Sequence, residues 1–92
     1  MLQIVQNSKF KTDSKRLIRS GNFSEADEEK LFDIIRLLAQ QKKLESKYRD
    51  HPLTGNWKKH RECHIKPDLL LIYQIENNAL KLIRIGSHSE LY

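Results

Sequence analysis

Leu69-Leu70-Leu71-Ile72-Tyr73-Gln74-Ile75-Glu76-Asn77-Asn78-Ala79-Leu80-Lys81-Leu82-Ile83-Arg84-Ile85 is the stretch that decides the architecture. Its first seven residues are almost unbroken apolar, the composition of a central strand covered on both faces. Glu76-Asn77-Asn78 reads as a turn, because asparagine tolerates the left-handed backbone of a tight reversal. Ala79 to Ile85 is a second β-rich run, with Gly86-Ser87-His88 at its exit. Just upstream, Arg61 to Lys66 alternates with period two until Pro67-Asp68 breaks it. Arg61, Cys63 and Ile65 share one face; Glu62, His64 and Lys66 share the other. Three strands in a row predict an antiparallel meander.

Further upstream the period changes. Leu31, Ile34, Ile35 and Leu38 recur at i, i+3, i+4 and i+7, the stripe of an amphipathic helix. Ser24 begins that helix, and Glu25, Asp27, Glu28 and Glu29 crowd its first turn, where the helix dipole favours anions. A preceding helix is expected from Ser8 to about Ser20, with Phe10, Leu17 and Ile18 on its apolar side and Gly21 as its stop. Leu2-Gln3-Ile4-Val5 is a short opening strand. The expected fold is therefore α+β, one domain over residues 1–92, in the order β-α-α-β-β-β. Ninety-two residues leave no room for a second core.

The composition, 38% hydrophobic and 32% charged, is that of a folded chain and excludes a disordered one. A single cysteine, Cys63, excludes an internal disulfide framework, so a reducing compartment is expected. Neither a signal peptide nor an apolar run of about 20 residues is visible, which predicts a cytoplasmic protein with no membrane association. The formal net charge is +5, and most of it is local. Lys47, Arg49, Lys58, Lys59, Arg61 and Lys66 face only Asp50 and Glu62 between residues 47 and 66. An anionic partner suits such a segment.

The same region holds the histidines His51, His60 and His64, with His88 at the end of the third meander strand. Imidazole, with a pKa of roughly 6.5, gives and takes protons near neutrality. RNA carries its own nucleophile, the 2′-hydroxyl. Its cleavage needs a base for that proton, a cation for the phosphorane and an acid for the leaving 5′ oxygen. His51, His64, His88 and Asp68 are candidates for the proton transfers. Lys58, Lys59, Arg61 and Arg84 are candidates for the charge, and Trp57 and Tyr92 for base stacking. Two other readings stay open. The ligand types would suit Zn²⁺, but no CxxC or HExxH is present and Cys63 points away from His64. A basic surface could also bind nucleic acid or an acidic protein without cutting anything.

His51-Pro52-Leu53-x-Gly55-x-Trp57-Lys58, Arg61-Glu62-Cys63-His64-Ile65-x-Pro67-Asp68-x-x-Leu71-Ile72-Tyr73 and Arg84-x-Gly86-Ser87-His88-Ser89-x-Leu91-Tyr92 together resemble the YafQ-type branch of the RelE/ParE superfamily of bacterial toxins. The resemblance covers essentially the whole chain. It implies two helices on a twisted antiparallel sheet, and an endoribonuclease that cuts mRNA in the ribosomal A site. It implies a cognate antitoxin and no metal or other cofactor. Carried over by motif, His51, His64, Asp68 and His88 form the acid–base set. His88 is the expected general acid, and Asp68 the expected base ahead of His51. Arg84 is the expected phosphorane ligand, because its fork can hold two oxygens. Trp57, Lys58, Lys59, Arg61, Glu62 and Tyr92 are the expected RNA contacts. Glu62 is also a candidate to orient a histidine, while Tyr92 stands where phenylalanine is common. ParE-like relatives poison gyrase on the same fold, so the fold alone does not decide the activity.

Overall fold

The computed structural model describes all of residues 1–92. Strand β1 (Gln3–Gln6) leads into α1 (Ser8–Arg19) and α2 (Glu25–Ala39). After a 3₁₀ turn at Ser46–Tyr48 come β2 (His51–Pro52), a second 3₁₀ turn at Gly55–Trp57, and the strands β3 (Arg61–Lys66), β4 (Leu69–Glu76) and β5 (Ala79–Gly86). A one-turn helix, α3 (His88–Leu91), closes the chain. The sheet order is β1-β5-β4-β3-β2, which puts the apolar β4 at the centre as expected.

Two expectations change. The sheet is mixed rather than antiparallel, since β1 runs parallel to β5 with Gln3 beside Ala79 and Gln6 beside Leu82. The helix count rises to three, and the element order gains the short β2 and the terminal α3. Both β1 and β2 are too short for their residues to declare a partner; tertiary context sets them.

Helix α2 starts on a capping box, in which the Ser24 hydroxyl accepts from Asp27 N–H and the Asp27 carboxylate accepts from Ser24 N–H. It buries Leu31, Ile34 and Leu38 against Leu71, Tyr73, Leu80, Leu82 and Ile85 on one face of the sheet. The opposite face carries a smaller core of Leu70, Ile72, Ile83 and Leu91, with Leu53 and Trp57 packed against it. Asn77 and Asn78 both adopt positive φ, 52° and 62°, as the turn between β4 and β5 requires.

Helix α1 lies along the β5 edge beyond the end of β1. Asp13, buried on α1, accepts the otherwise unpaired Ile85 N–H at 3.1 Å through Oδ2. That oxygen also accepts Arg84 Nε–H at 2.7 Å, while Oδ1 accepts from Arg84 Nη2 at 3.1 Å and Arg16 Nη2 at 2.8 Å. One carboxylate thus completes the edge of the sheet and bonds two guanidinium groups. Burial pushes its pKa up, but the Arg84 hydrogen bonds, the Ile85 N–H and both arginine charges outweigh that and hold it below 3.8.

Candidate active site

The site lies on the sheet face away from α1 and α2. In the β2–β3–β4 ladder His51 stands opposite Glu62, Glu62 opposite Ile72, and His64 opposite Leu70. Glu62 and His64 therefore share the face of the smaller core. Lys66, expected on that face, departs from it: the β3–β4 register shifts between His64 and Lys66. Its ammonium bonds Asp27 Oδ2 on α2 at 2.9 Å instead. A bulge of this kind re-aims the side chain that follows it.

Glu62 is the hub. Only 4% of the residue is exposed, yet its carboxylate is fully engaged. Oε1 lies 3.2 Å from His64 Nε2 and 3.5 Å from His51 Nε2, and Oε2 accepts the Tyr92 hydroxyl. A buried charge is tolerated only when it is partnered in this way. Burial and the facing Glu62 carboxylate push the Tyr92 phenol up, so it stays a donor.

Three imidazoles stand in a row. The His51 and His64 ring centroids are 6.3 Å apart, and those of His64 and His88 are 5.7 Å apart. Hydrogen bonding assigns two of the tautomers. His51 Nδ1 is 2.6 Å from the Arg49 carbonyl oxygen, which can only accept, so Nδ1 carries a proton and Nε2, 3.5 Å from Glu62 Oε1, is the nitrogen that can gain one. His88 Nδ1 is 2.7 Å from Asp68 Oδ1, which leaves its Nε2 without a hydrogen-bond partner. Arg49 holds its carbonyl in place from a left-handed conformation, φ 48° and ψ 42°, uncommon for a side chain of that size. Ser87, with its hydroxyl accepting from Glu90 N–H, caps the short helix that carries His88.

Residues 2–92 match the family model described as "Bacterial toxin of type II toxin-antitoxin system, YafQ". The chain belongs to this family. The YafQ relatives include the mRNA interferase toxin YafQ of Escherichia coli (strain K12), 43% identical over 49 residues, which make up 53% of each chain. The chain thus spans about half the length of that curated relative. Among solved YafQ-like structures, a metal-bound toxin from Helicobacter pylori superimposes with a TM-score of 0.89 at 47% identity, over 100% of both chains. The E. coli DinJ-YafQ complex superimposes with a TM-score of 0.85 at 31% identity, covering 100% of this chain and 99% of the YafQ-like one.

Within this YafQ fold, the site residues expected from sequence fall into two groups. His51, Glu62, His64, Asp68, His88 and Tyr92 are linked by direct contacts. Trp57 joins them at the margin: it packs on the smaller core and meets the Tyr92 ring edge-on at 6.5 Å. Lys58 and Lys59 are exposed beside it, and His60 touches the Trp57 ring at 5.4 Å. Arg61 and Arg84 are bonded to other partners, although Arg84 stands opposite Ile72 in the same cross-strand row as Glu62 and His51. Arg61 lies on the helix-facing side, where Nε–H is shared between Asp50 Oδ1 at 3.2 Å and Tyr73 Oη at 3.3 Å. The Arg84 fork, expected to hold two phosphate oxygens, holds the two oxygens of Asp13.

Asp68 also behaves differently from the expected base. An efficient carboxylate base needs a raised pKa. The His88 backbone N–H, and then the His88 ring, hold Asp68 below its ordinary value. Cys63 is fully buried, and burial with the nearby Asp50 and Glu62 charges pushes its thiol far up, so it is no nucleophile. No group of three or more His, Cys, Asp or Glu side chains is arranged to hold a metal ion. Two contributors escaped the sequence reading. Arg49 acts through its carbonyl, which no pattern announces. Asp13 did leave a signal, as the lone carboxylate among Lys9, Lys11, Lys15, Arg16 and Arg19 on α1.

Proposed function

We propose that this chain is an endoribonuclease that cleaves mRNA in the ribosomal A site and is silenced by a cognate antitoxin. The observation that carries this reading is the row His51–His64–His88, in which each outer ring is fixed through Nδ1 and presents Nε2. His51 Nε2 takes the proton of the RNA 2′-hydroxyl, whose oxygen attacks phosphorus. Glu62, 3.5 Å away, meets the charge that then develops on His51. His88 gives its Nε2 proton to the departing 5′ oxygen, and the products are a 2′,3′-cyclic phosphate and a free 5′-hydroxyl. Asp68 accepts the His88 Nδ1–H and stabilises the imidazolium, the form whose second proton, on Nε2, is the one transferred. His64, in the middle of the row, faces the phosphorane. Arg84 contributes through its unbound Nη1 rather than as a fork. The proton transfers run through side chains, without a metal.

The similarity to the mRNA interferase toxin YafQ of E. coli supports this assignment, and the histidine row supports it over a YafQ-fold protein that only binds its target. For the antitoxin, the E. coli DinJ-YafQ complex is the precedent. An apolar groove of about 400 Å³ between α1, α2 and β1 offers it a seat away from the imidazoles. Ile4, Ile18 and Phe32 line that groove and are about half exposed, an arrangement that marks an interaction surface.

The test is induced expression of wild type and His88→Ala in a host lacking the antitoxin, with primer extension on a reporter mRNA. Growth arrest with discrete cuts from the wild type alone is expected. Arrest without cuts would replace cleavage by binding. Repeating the cleavage with and without ribosomes tests the A-site claim.

A further inference from the structure

Strand β2 covers only Arg61 and Glu62 of β3, so the β3 edge from Cys63 onward has no strand beside it. Helix α2 and the 3₁₀ turn Ser46–Tyr48 approach that edge and leave a cleft of about 580 Å³. Lys30 of α2, Lys47 and Arg49 of the turn region, and Lys66 of β3 line it, together with His64 and His88. None of the nine lining residues is acidic. Lys66 is bonded to Asp27, and the exposed Lys47 lies 3.7 Å from Glu45, a weak pair. Lys30 and Arg49 have no carboxylate within 4 Å. Cations of one sign around a concave surface focus their field into it. The Trp57–Tyr92 pair does not line the cleft, so stacking and charge are offered at separate places.

We propose that this cleft is a second RNA subsite, where Lys30, Lys47 and Arg49 hold the phosphates of nucleotides flanking the scissile linkage. The assignment rests on the ribonuclease reading and deepens it: the strand is gripped by stacking near Trp57 and Tyr92 and by phosphate contacts beside His64 and His88. A continuous polyanion fits three cations contributed by two separate elements better than one isolated anion does. Arg49 links the subsite to the chemistry, because its carbonyl fixes His51 and the same residue lines the cleft.

A fully 2′-O-methylated oligoribonucleotide tests this by fluorescence anisotropy across a salt series, since it binds without being cut. The Lys30→Ala/Lys47→Ala pair is compared with Lys42→Ala/Lys43→Ala, an equal charge change outside the cleft, and circular dichroism checks that each variant is folded. Expected is a loss of tenfold or more for the cleft pair, a salt dependence shallower by about one per lysine, and less than a twofold change for the control. Equal losses in both pairs, no loss in the cleft pair, no binding by the wild type, or equal competition by a polyglutamate peptide would each overturn the subsite. Wild type that binds through the cleft yet cuts no 2′-hydroxyl RNA, with or without ribosomes, would overturn the ribonuclease reading alone.

Discussion

One carboxylate oxygen, Asp68 Oδ1, accepts both the backbone N–H of His88 at 3.0 Å and its ring Nδ1–H at 2.7 Å. The helix start and the imbalance of the imidazole's two nitrogens are therefore set by the same atom. If Asp68 acts through His88, the two are not independent. His88→Ala should lower the cleavage rate by about 10²–10⁴-fold, and adding Asp68→Ala should cost almost nothing more. Single-turnover kinetics on the four combinations decide it; losses that multiply would return Asp68 to the role of base.

Glu62 serves three partners, so its charge and its acceptor oxygens separate by substitution. Glu62→Gln should lower the cleavage rate by tenfold or more while leaving the oligoribonucleotide's affinity within a few-fold. Tyr92→Phe keeps the ring but removes the only donor to Oε2. It should cost about 1–3 kcal/mol in urea unfolding, with cleavage within a few-fold of wild type.

Asp13 supplies a pH dependence with a definite sign. Its native pKa lies below 3.8, so its stabilisation is complete above the unfolded value and is lost as pH falls through the native one. Asp13→Asn should destabilise the protein by about 3 kcal/mol at pH 7, the cost of breaking a buried pair. The gap between wild type and variant should narrow as pH drops below about 4 and stay flat between pH 6 and 8. Urea titrations at several pH values measure it.

Cys63 should be silent. Iodoacetamide at pH 8 should leave the native thiol unmodified and label it fully in denaturant. Cys63→Ala should retain cleavage. Rapid labelling of the native protein would mean that the β3–β4 ladder opens.

Phe32→Asp, on the groove between α1 and α2, should weaken antitoxin binding by tenfold or more and leave the cleavage rate unchanged. Calorimetric titration with the purified antitoxin, beside a cleavage assay, separates the two surfaces. A matching loss of cleavage would show that the groove and the imidazole row are coupled.

The parts legible in sequence were those written in local periodicity. The apolar run of β4, the Asn77-Asn78 turn and the stripe of α2 each depend on neighbours a few residues away, and each formed as read. The shared face of Glu62 and His64 followed from strand alternation. What escaped depends on distant partners. β1 is four residues that any strand edge could accept. The Arg84 fork looked free because Asp13 lies on the first helix, far away in sequence. Lys66 was assigned to the wrong face because a bulge breaks the alternation that the prediction assumed. Asp68 was expected as a base from its place in the motif; geometry adds that both His88 donors fall on one of its oxygens.

The parallel pairing of β1 with β5 joins the two ends of the chain. During synthesis the first strand leaves the ribosome long before Ala79–Leu82 exist to receive it, and such non-local pairing cannot form early. α1 waits as well, since Asp13 bonds Arg84 and Ile85. A nascent chain halted short of these residues has no closed sheet edge and no His88. Such a chain lacks one end of the imidazole row, so under the proposed reading cleavage is expected only after β5 and α3 have joined β1 and α1.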